Sequence, residues 1–404
     1  MADDHTLGAR LRDKRREHSI TQEQLAALSG VSQVMIAKIE QGRRQPRLPV
    51  LLQLAEALDV PLSELVDKRP RLAGHTEGAS ILAVRDALLS PSLLAGAELL
   101  DTAETTPVPE LRAAVAAAGR LYWSGDFAKL AARLPILIAA ARQTAQEAGP
   151  AGNGLLAQAY DLAAALMVHM GKDDLAAIGA ERAITAARAS GDELLYAILH
   201  GTYAWVMLHQ GRLADAEHLA VTAADSIDPK FSASPVQIAA WGNLLMTALA
   251  PAAAGGRDFA GFISLATAAA ERLDTPTRTY LGQSPFGRTS VAMQACHAYA
   301  VTRQPGPALA AARKVDPADL SAISHGRHLL DVAQAHADAR HSAPAVAALT
   351  QARALSPLWF RHQGIARSLI TDLHEHEKRV SPALRDLAAS LDPRWYSPYY
   401  RRQK

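Results

Sequence analysis

Along the first seventy residues, apolar positions recur in short bursts of helical period, each burst broken by glycine or proline. Leu7 and Leu11 lie one turn apart in a highly charged stretch that ends near Glu17. Thr21 is a favourable N-cap with Gln24 three positions on, the capping-box pattern. The helix it opens, 22–28, is expected to bury Leu25, Ala26 and Leu28. Gly30 stands where a helix closes in the left-handed conformation. Ser32 then caps a third helix, 33–40, with Ile36 and Ile39 inward and Gln33, Val34, Ala37 and Lys38 on the outward face. Gly42 ends it, and a basic loop, Arg43-Arg44-Gln45-Pro46-Arg47, follows. Leu51, Leu52, Leu54, Ala55 and Leu58 mark a fourth helix, and 62–66 a short fifth.

The pattern lapses after Lys68, which predicts a linker at 71–80 between an N-terminal domain, 1–70, and a second domain, 81–404. The second reads as consecutive helix pairs: 110–123 with 127–147, 155–170 with 173–189, 193–210 with 213–227, 236–253 with 259–273, 287–302 with 307–315, and 323–340 with 343–355. Glycines at the expected turns, 125, 171, 211, 256 and 306, are spaced by 46, 40, 45 and 50 residues. Such pairs have an apolar face that none can bury alone, so neighbours stack.

Composition sharpens this picture. A chain of 404 residues exceeds one ordinary core. Hydrophobic residues at 49% and charged residues at 20% are those of a folded protein, and aromatics at 5% with abundant alanine favour close-packed helices over strands. The one cysteine, Cys296, excludes an intramolecular disulfide and a thiolate-rich metal site. The polar start, Met1-Ala2-Asp3-Asp4-His5, lacks a signal-peptide pattern, and no membrane span is expected, so the expected location is the cytoplasm. The net charge is only +2, but residues 1–47 hold nine Lys and Arg against six Asp and Glu. The basic excess therefore sits where a polyanion could be met.

The segment 11–65, LRDKRREHSITQEQLAALSGVSQVMIAKIEQGRRQPRLPVLLQLAEALDVPLSEL, resembles the Cro and phage-repressor (XRE) helix-turn-helix family through all five helices. The resemblance implies that Gln22 contacts a phosphate at a helix N-terminus, that Ser32, Gln33, Val34 and Lys38 face the major groove, and that Arg43 and Arg44 contact the backbone. It also implies an Arg15–Glu40 ion pair of structural importance. Gln41 departs from the asparagine frequent in the family. Further along, Gly211-Arg212-Leu213-Ala214-Asp215-Ala216-Glu217, closed by Asp228-Pro229 and echoed at 306–317 and 342–357, resembles the tetratricopeptide (TPR) repeat, whose nominal period of about 34 residues is shorter. The fold class expected is all-α: a five-helix helix-turn-helix domain followed by a TPR-like right-handed α-solenoid with a concave inner surface.

This layout resembles bacterial regulators of the peptide-pheromone-sensing class. Gln283-Ser284-Pro285-Phe286-Gly287-Arg288-Thr289-Ser290-Val291 and His325-Gly326-Arg327-His328-Leu329-Leu330-Asp331 resemble long regulators of high-GC actinobacteria, and 33 Arg against 9 Lys agrees with that background. The resemblance implies three partners: a double-stranded DNA operator, a second copy of the chain, and a peptide or small-molecule effector.

Polar or aromatic residues on the inner helices are candidates for the effector: Tyr203, Trp241, Asn243, Arg278, Tyr280, Gln283 and Arg288, with Tyr160 and His200 beside them. Asn243, an amide in mid-helix, can bond either a ligand backbone or a neighbouring helix. His325, His328 and His336 share a helix face, but the outer two are about 16 Å apart along the axis and cannot share one ion. No phosphate-binding loop, dinucleotide fingerprint, nucleophile elbow or HExxH motif occurs, so no metal, cofactor or enzymatic reaction is expected. A second reading stays open, in which the repeats are a protein-interaction adaptor and DNA binding is vestigial. The aromatic, basic tail 394–402 either docks on a neighbouring subunit or is a disordered terminus.

Overall fold

The computed structural model describes residues 7–18, 20–42, 44, 46, 48–58, 60, 65, 75–90, 105–280, 285–361, 363–376 and 380–391. Among them every regular element is helical, apart from a single bridge between Thr277 and Phe286. The head contains α1 (Leu7–Glu17), α2 (Gln22–Ser29), α3 (Gln33–Glu40) and α4 (Leu48–Ala57). The expected fifth helix lies outside the described residues except for Leu65, which is helical and buried.

Leu11, Leu25, Val31, Ile36, Ile39, Leu54, Ala55, Leu58 and Leu65 form the head's core. One expectation fails: Leu28 is 63% exposed. The inner face of α2 runs from Leu25 to Ser29, four residues apart, and not to Leu28. Ser29 is tolerated inside because its hydroxyl donates to Leu25 O at 2.6 Å and accepts from Val31 N.

The body begins with α5 (His75–Leu89), which starts inside the segment expected to be linker. The residues Val84 and Leu88 belong to the main core of the body, and α5 lies against the second helix of the first pair. Six helix pairs follow: α6 (Val108–Ser124) with α7 (Phe127–Ala148), α8 (Pro150–His169) with α9 (Asp173–Ser190), α10 (Glu193–His209) with α11 (Leu213–Ser226), α12 (Pro235–Ala254) with α13 (Ala260–Glu271), α14 (Arg288–Val301) with α15 (Pro305–Ala312), and α16 (Ala322–Asp338) with α17 (Ser342–Leu355). Three further helices, α18 (Pro357–Arg361), α19 (Gly364–His376) and α20 (Pro382–Leu391), cover α16 and α17 at the far end.

Each first helix packs on its own partner and on the first helix of the next pair, the TPR-like arrangement, so the odd members form an outer layer. Alanine makes the close approach possible. Ala163, Ala164, Ala176, Ala180, Ala183 and Ala187 are buried between α8 and its neighbours, and a Cβ on Gly179 would stand 3.1 Å from Ala164 Cβ. The turn glycines 125, 171, 211 and 256 take left-handed φ values of 63 to 82°. Gly306 does not: it lies within α15, and Arg303 takes the left-handed position instead, with φ of 61°. The sixth pair returns to the first, since α16 touches α6 and Ile323 joins the core that holds Val115 and Tyr122.

Among the described residues one helix, Pro235–Ala254, is by length and composition apolar enough to cross a membrane, contrary to the expectation that none would be. Here it packs against α10, α11, α13 and α14, and 67% of its apolar stretch is buried inside the fold.

Candidate nucleic-acid interface and the interior of the repeats

The α2–turn–α3 unit is built by local chemistry at each corner. Thr21 Oγ1 accepts from Gln24 N at 3.1 Å, and Gln24 Oε1 accepts from Thr21 N at 2.7 Å, closing the capping box. Gly30, with φ of 70°, donates its N–H to Ala26 O and reverses the chain. Val31 plugs the turn into the core, and Ser32 Oγ accepts from Met35 N at 3.3 Å to start α3.

With Ile36 and Ile39 inward, the opposite face of α3 is presented outward: Ser32, Gln33 and Lys38 are exposed, and Val34 is 65% exposed. This surface combines amide, apolar and cationic groups, a set able to meet base edges and phosphates. The chain leaves α3 through Gly42 in the left-handed region, and Arg44 N donates to Lys38 O at 3.1 Å, which holds the exposed Arg44 beside the helix end. Arg43 lies outside the described residues.

Glu40 organises the unit from below. Its side chain is 3% exposed, and Arg15 grips it through two bonds, Nε to Oε1 at 2.7 Å and Nη2 to Oε2 at 2.9 Å. Arg15 Nη1 also donates to Ile20 O, tying α1 to the start of α2. The Glu40 carboxylate raises the Arg15 pKa, so the guanidinium stays charged. Gln22 Nε2 donates to Glu40 Oε2 at 2.8 Å, so this side chain is held against α3 rather than extended into solvent. A phosphate at the N-terminus of α2 is therefore offered backbone N–H groups first.

Among the described residues, none of the candidate effector residues lines either of two surface depressions, and each has its own surroundings. Tyr203 is half-buried and donates to Glu181 Oε1 at 2.9 Å, and Trp241 packs on the core around α12 and α14. Asn243 is half-buried on α12. Tyr280 donates to both oxygens of Asp192 at 2.8 Å, tying the segment after the Thr277 bridge to the cap of α10. Arg278 and Arg288 are exposed, and Gln283 lies outside the described residues. Tyr160 is buried and accepts from Arg142 Nε at 2.8 Å, while His200 bonds Tyr196 O. The two surface depressions lie elsewhere on the molecule. One, of about 480 Å³, lies between Leu52, Gln53 and Glu56 of the head and the Gly211–Asp215 turn; the other surrounds Phe259 and Tyr299.

Of the histidines, His328 is buried and its pKa is lowered chiefly by that burial, while Asp331 bonds His297 Nδ1 at 2.9 Å. Cys296 is buried, which raises its thiol pKa. Sequence reasoning missed a polar set on the inner helices α8 and α10: Gln158, Asp161, Thr202 and Trp205. Its signal was polar residues three apart on otherwise apolar helices.

Comparison with known proteins places the head. A Helix-turn-helix family model matches residues 11–65. An HTH-type transcriptional regulator, y4dJ, of Sinorhizobium fredii is 43% identical over 60 residues, which are 15% of this chain and 78% of that protein. The HTH-type transcriptional repressor RghR of Bacillus subtilis is 41% identical over 73 residues, 18% of this chain and 51% of that one. The crystal structure of Bacillus thuringiensis PlcR in complex with the peptide PapR7 and DNA aligns over 67% of this chain and 96% of that chain, at 12% identity and a TM-score of 0.30. That likeness is too low to carry an argument about the repeats.

Proposed function

Because the chain belongs to the helix-turn-helix transcriptional regulators, we propose that it is a cytoplasmic, sequence-specific regulator that binds a double-stranded DNA operator as a homodimer. The observation that carries this reading is the outward face of α3, exposed at Gln33, Val34 and Lys38 and seated by the Thr21, Gly30 and Glu40 contacts. Gln33 and Val34 read base edges, a glutamine pairing with adenine and a valine meeting a thymine methyl. Lys38, Arg43 and Arg44 neutralise phosphates, and Gln22 with the α2 N-terminus receives another. Ser32 approaches the groove from its capping position. In this reading residues 1–70 form the DNA-binding domain, 71–80 are the linker into which α5 extends from His75, and 81–404 dimerise and bind a peptide or small-molecule effector. The effector acts by its difference in affinity for the DNA-competent and incompetent arrangements. Tyr203, Trp241, Asn243, Arg278, Tyr280, Gln283 and Arg288 stay candidates for effector contact.

The test is to titrate the full chain against pooled genomic fragments, including DNA upstream of its own gene, and to sequence what is retained at several salt concentrations. Enrichment of a two-fold-symmetric motif, lost in Gln33→Ala Lys38→Ala, is the expected result. Retention that is blind to sequence, with or without cell extract, overturns the reading and favours an adaptor.

A further inference from the structure

Helix α4 of the head carries one large apolar side chain that the head's own core does not use. Among the described residues that core draws Leu54, Ala55 and Leu58 from this stretch and leaves Leu52 out. Leu52 stands about 200° round the helix from Leu54, and Glu56, one turn on, shares its side. Leu52 is nonetheless half-buried, while Gln53 and Glu56 beside it are exposed. The body meets it there. A Cβ on Gly211 would fall well inside contact distance of Leu52 Cδ2 and 3.8 Å from Leu52 Cγ.

The body side is a braced notch. Gly211 turns the chain between α10 and α11 with φ of 82°, a conformation that suits glycine, and its missing Cβ makes the room that Leu52 enters. Two backbone bonds hold the turn: Gly211 N donates to Leu208 O at 3.2 Å and Arg212 N to Met207 O at 2.9 Å. Arg257, from the turn between α12 and α13, donates to Glu217 Oε2 at 2.5 Å and to Leu213 O at 3.2 Å, so the third and fourth pairs support the notch together. The depression of about 480 Å³ that Leu52, Gln53 and Glu56 line from the head lies around this contact. The fit is therefore incomplete, and a small, partly filled interface between domains permits relative motion. With the head in this position Ser32, Gln33, Lys38 and Arg44 are exposed and Val34 is 65% exposed, so docking leaves the α3 face free.

We propose that the Gly211 turn is a seat for the head: Leu52 docks in it, the α3 face stays outward, and the third and fourth pairs set where each head of a dimer stands. Two heads placed in advance meet two half-sites without the cost of ordering a free one. The seat therefore raises affinity for a paired operator and not for a single half-site. A shift of α10, which carries Tyr203 eight positions before Gly211, moves the seat with it. This inference rests on the reading of the chain as a dimeric DNA-binding regulator.

The test uses the full chain as Leu52→Asp, with Leu52→Met as the variant that keeps an apolar side chain of similar volume. Small-angle scattering and hydrogen exchange report whether the head is docked. Titration with duplexes holding one or two half-sites of the retained motif reports what docking does. In Leu52→Asp the radius of gyration should rise and exchange should quicken at 208–215, while protection in α1–α3 is kept, because Leu52 lies outside the head's core. Binding to the paired operator should fall about tenfold as the effective concentration of the second head drops. Binding to a single half-site should not change, and Leu52→Met should match the parent throughout. Unchanged scattering and exchange overturn the seat. Collapse of protection in α1–α3, or equal loss on both duplexes, places Leu52 in the head's own fold or DNA contact and overturns it as well. A released head with full affinity for the paired operator removes the seat's role in placing the heads. If the parent itself retains no motif, the DNA reading fails and that role with it, while scattering and exchange still decide whether Leu52 docks.

Discussion

Replacing Glu40 by alanine removes the acceptor for three hydrogen bonds, two from Arg15 and one from Gln22, at 2.7, 2.9 and 2.8 Å. The carboxylate is 3% exposed and the Arg15 side chain 12%. The variant therefore leaves a nearly buried guanidinium with only the Ile20 carbonyl as a partner. Breaking a buried pair from one side costs about 3–5 kcal/mol, most of it the uncompensated charge. Small domains sit near the low end of the usual ~5–15 kcal/mol of stability, so this loss takes a large part of what holds the head together. Hydrogen exchange resolved along the full chain is the assay. Protection in α1, α2 and α3 should collapse while protection in α8 and α10 is unchanged, and DNA retention should fail with it. The double variant Arg15→Met Glu40→Leu removes both charges and should recover most of that protection, since apolar replacements of buried pairs are often neutral or better. Exchange in α1–α3 that is unaltered by Glu40→Ala, or equally lost in the double variant, refutes the electrostatic argument.

Three other outcomes follow from the same contacts. Arg44→Ala should weaken binding to operator and random duplex alike and lower the slope of log affinity against log salt by about 0.9, the contribution of one phosphate, whereas Gln33→Ala should change which sequences are retained. In Gly242→Ala the new Cβ falls well inside contact distance of the buried Phe286 ring, and thermal melts should show a loss of about 1–3 kcal/mol; an unchanged melting temperature would mean that the Phe286 ring can shift aside. Asp161 has a pKa raised from 3.8 to about 6 by burial, so the fold prefers its protonated form. The stability it confers is whole below about pH 4 and lost as pH rises through 6, at most about 3 kcal/mol for a shift of about two units. Asp161→Asn should therefore melt above the parent at pH 7.5 and beside it at pH 4; the opposite order would mean that the carboxylate is stabilised in the free protein.

Much of this protein is local and so was legible along the chain. The capping pair Thr21 and Gln24, Gly30 and the Ile36–Ile39 spacing located the helix-turn-helix unit, because caps, left-handed glycines and helical period are properties of a few consecutive residues. The twelve paired helices of the body appeared near their observed ends for the same reason. What the neighbourhood decides was not legible. Leu28 read as core, and it is exposed because helix α4 meets the Leu25–Ser29 face of α2. Gly306 read as a turn, although Arg303 makes the turn and glycine continues the helix. Gln22 read as a phosphate contact, and only the approach of α3 shows its amide bound to Glu40. The same limit hid Asp161: its place in the chain is visible, but the burial that raises its pKa is set by the helices packed around it. Periodicity, capping and composition belong to the chain itself, whereas burial and satisfaction of polar groups are relations between segments distant in it, and only the folded packing of helix on helix settles those.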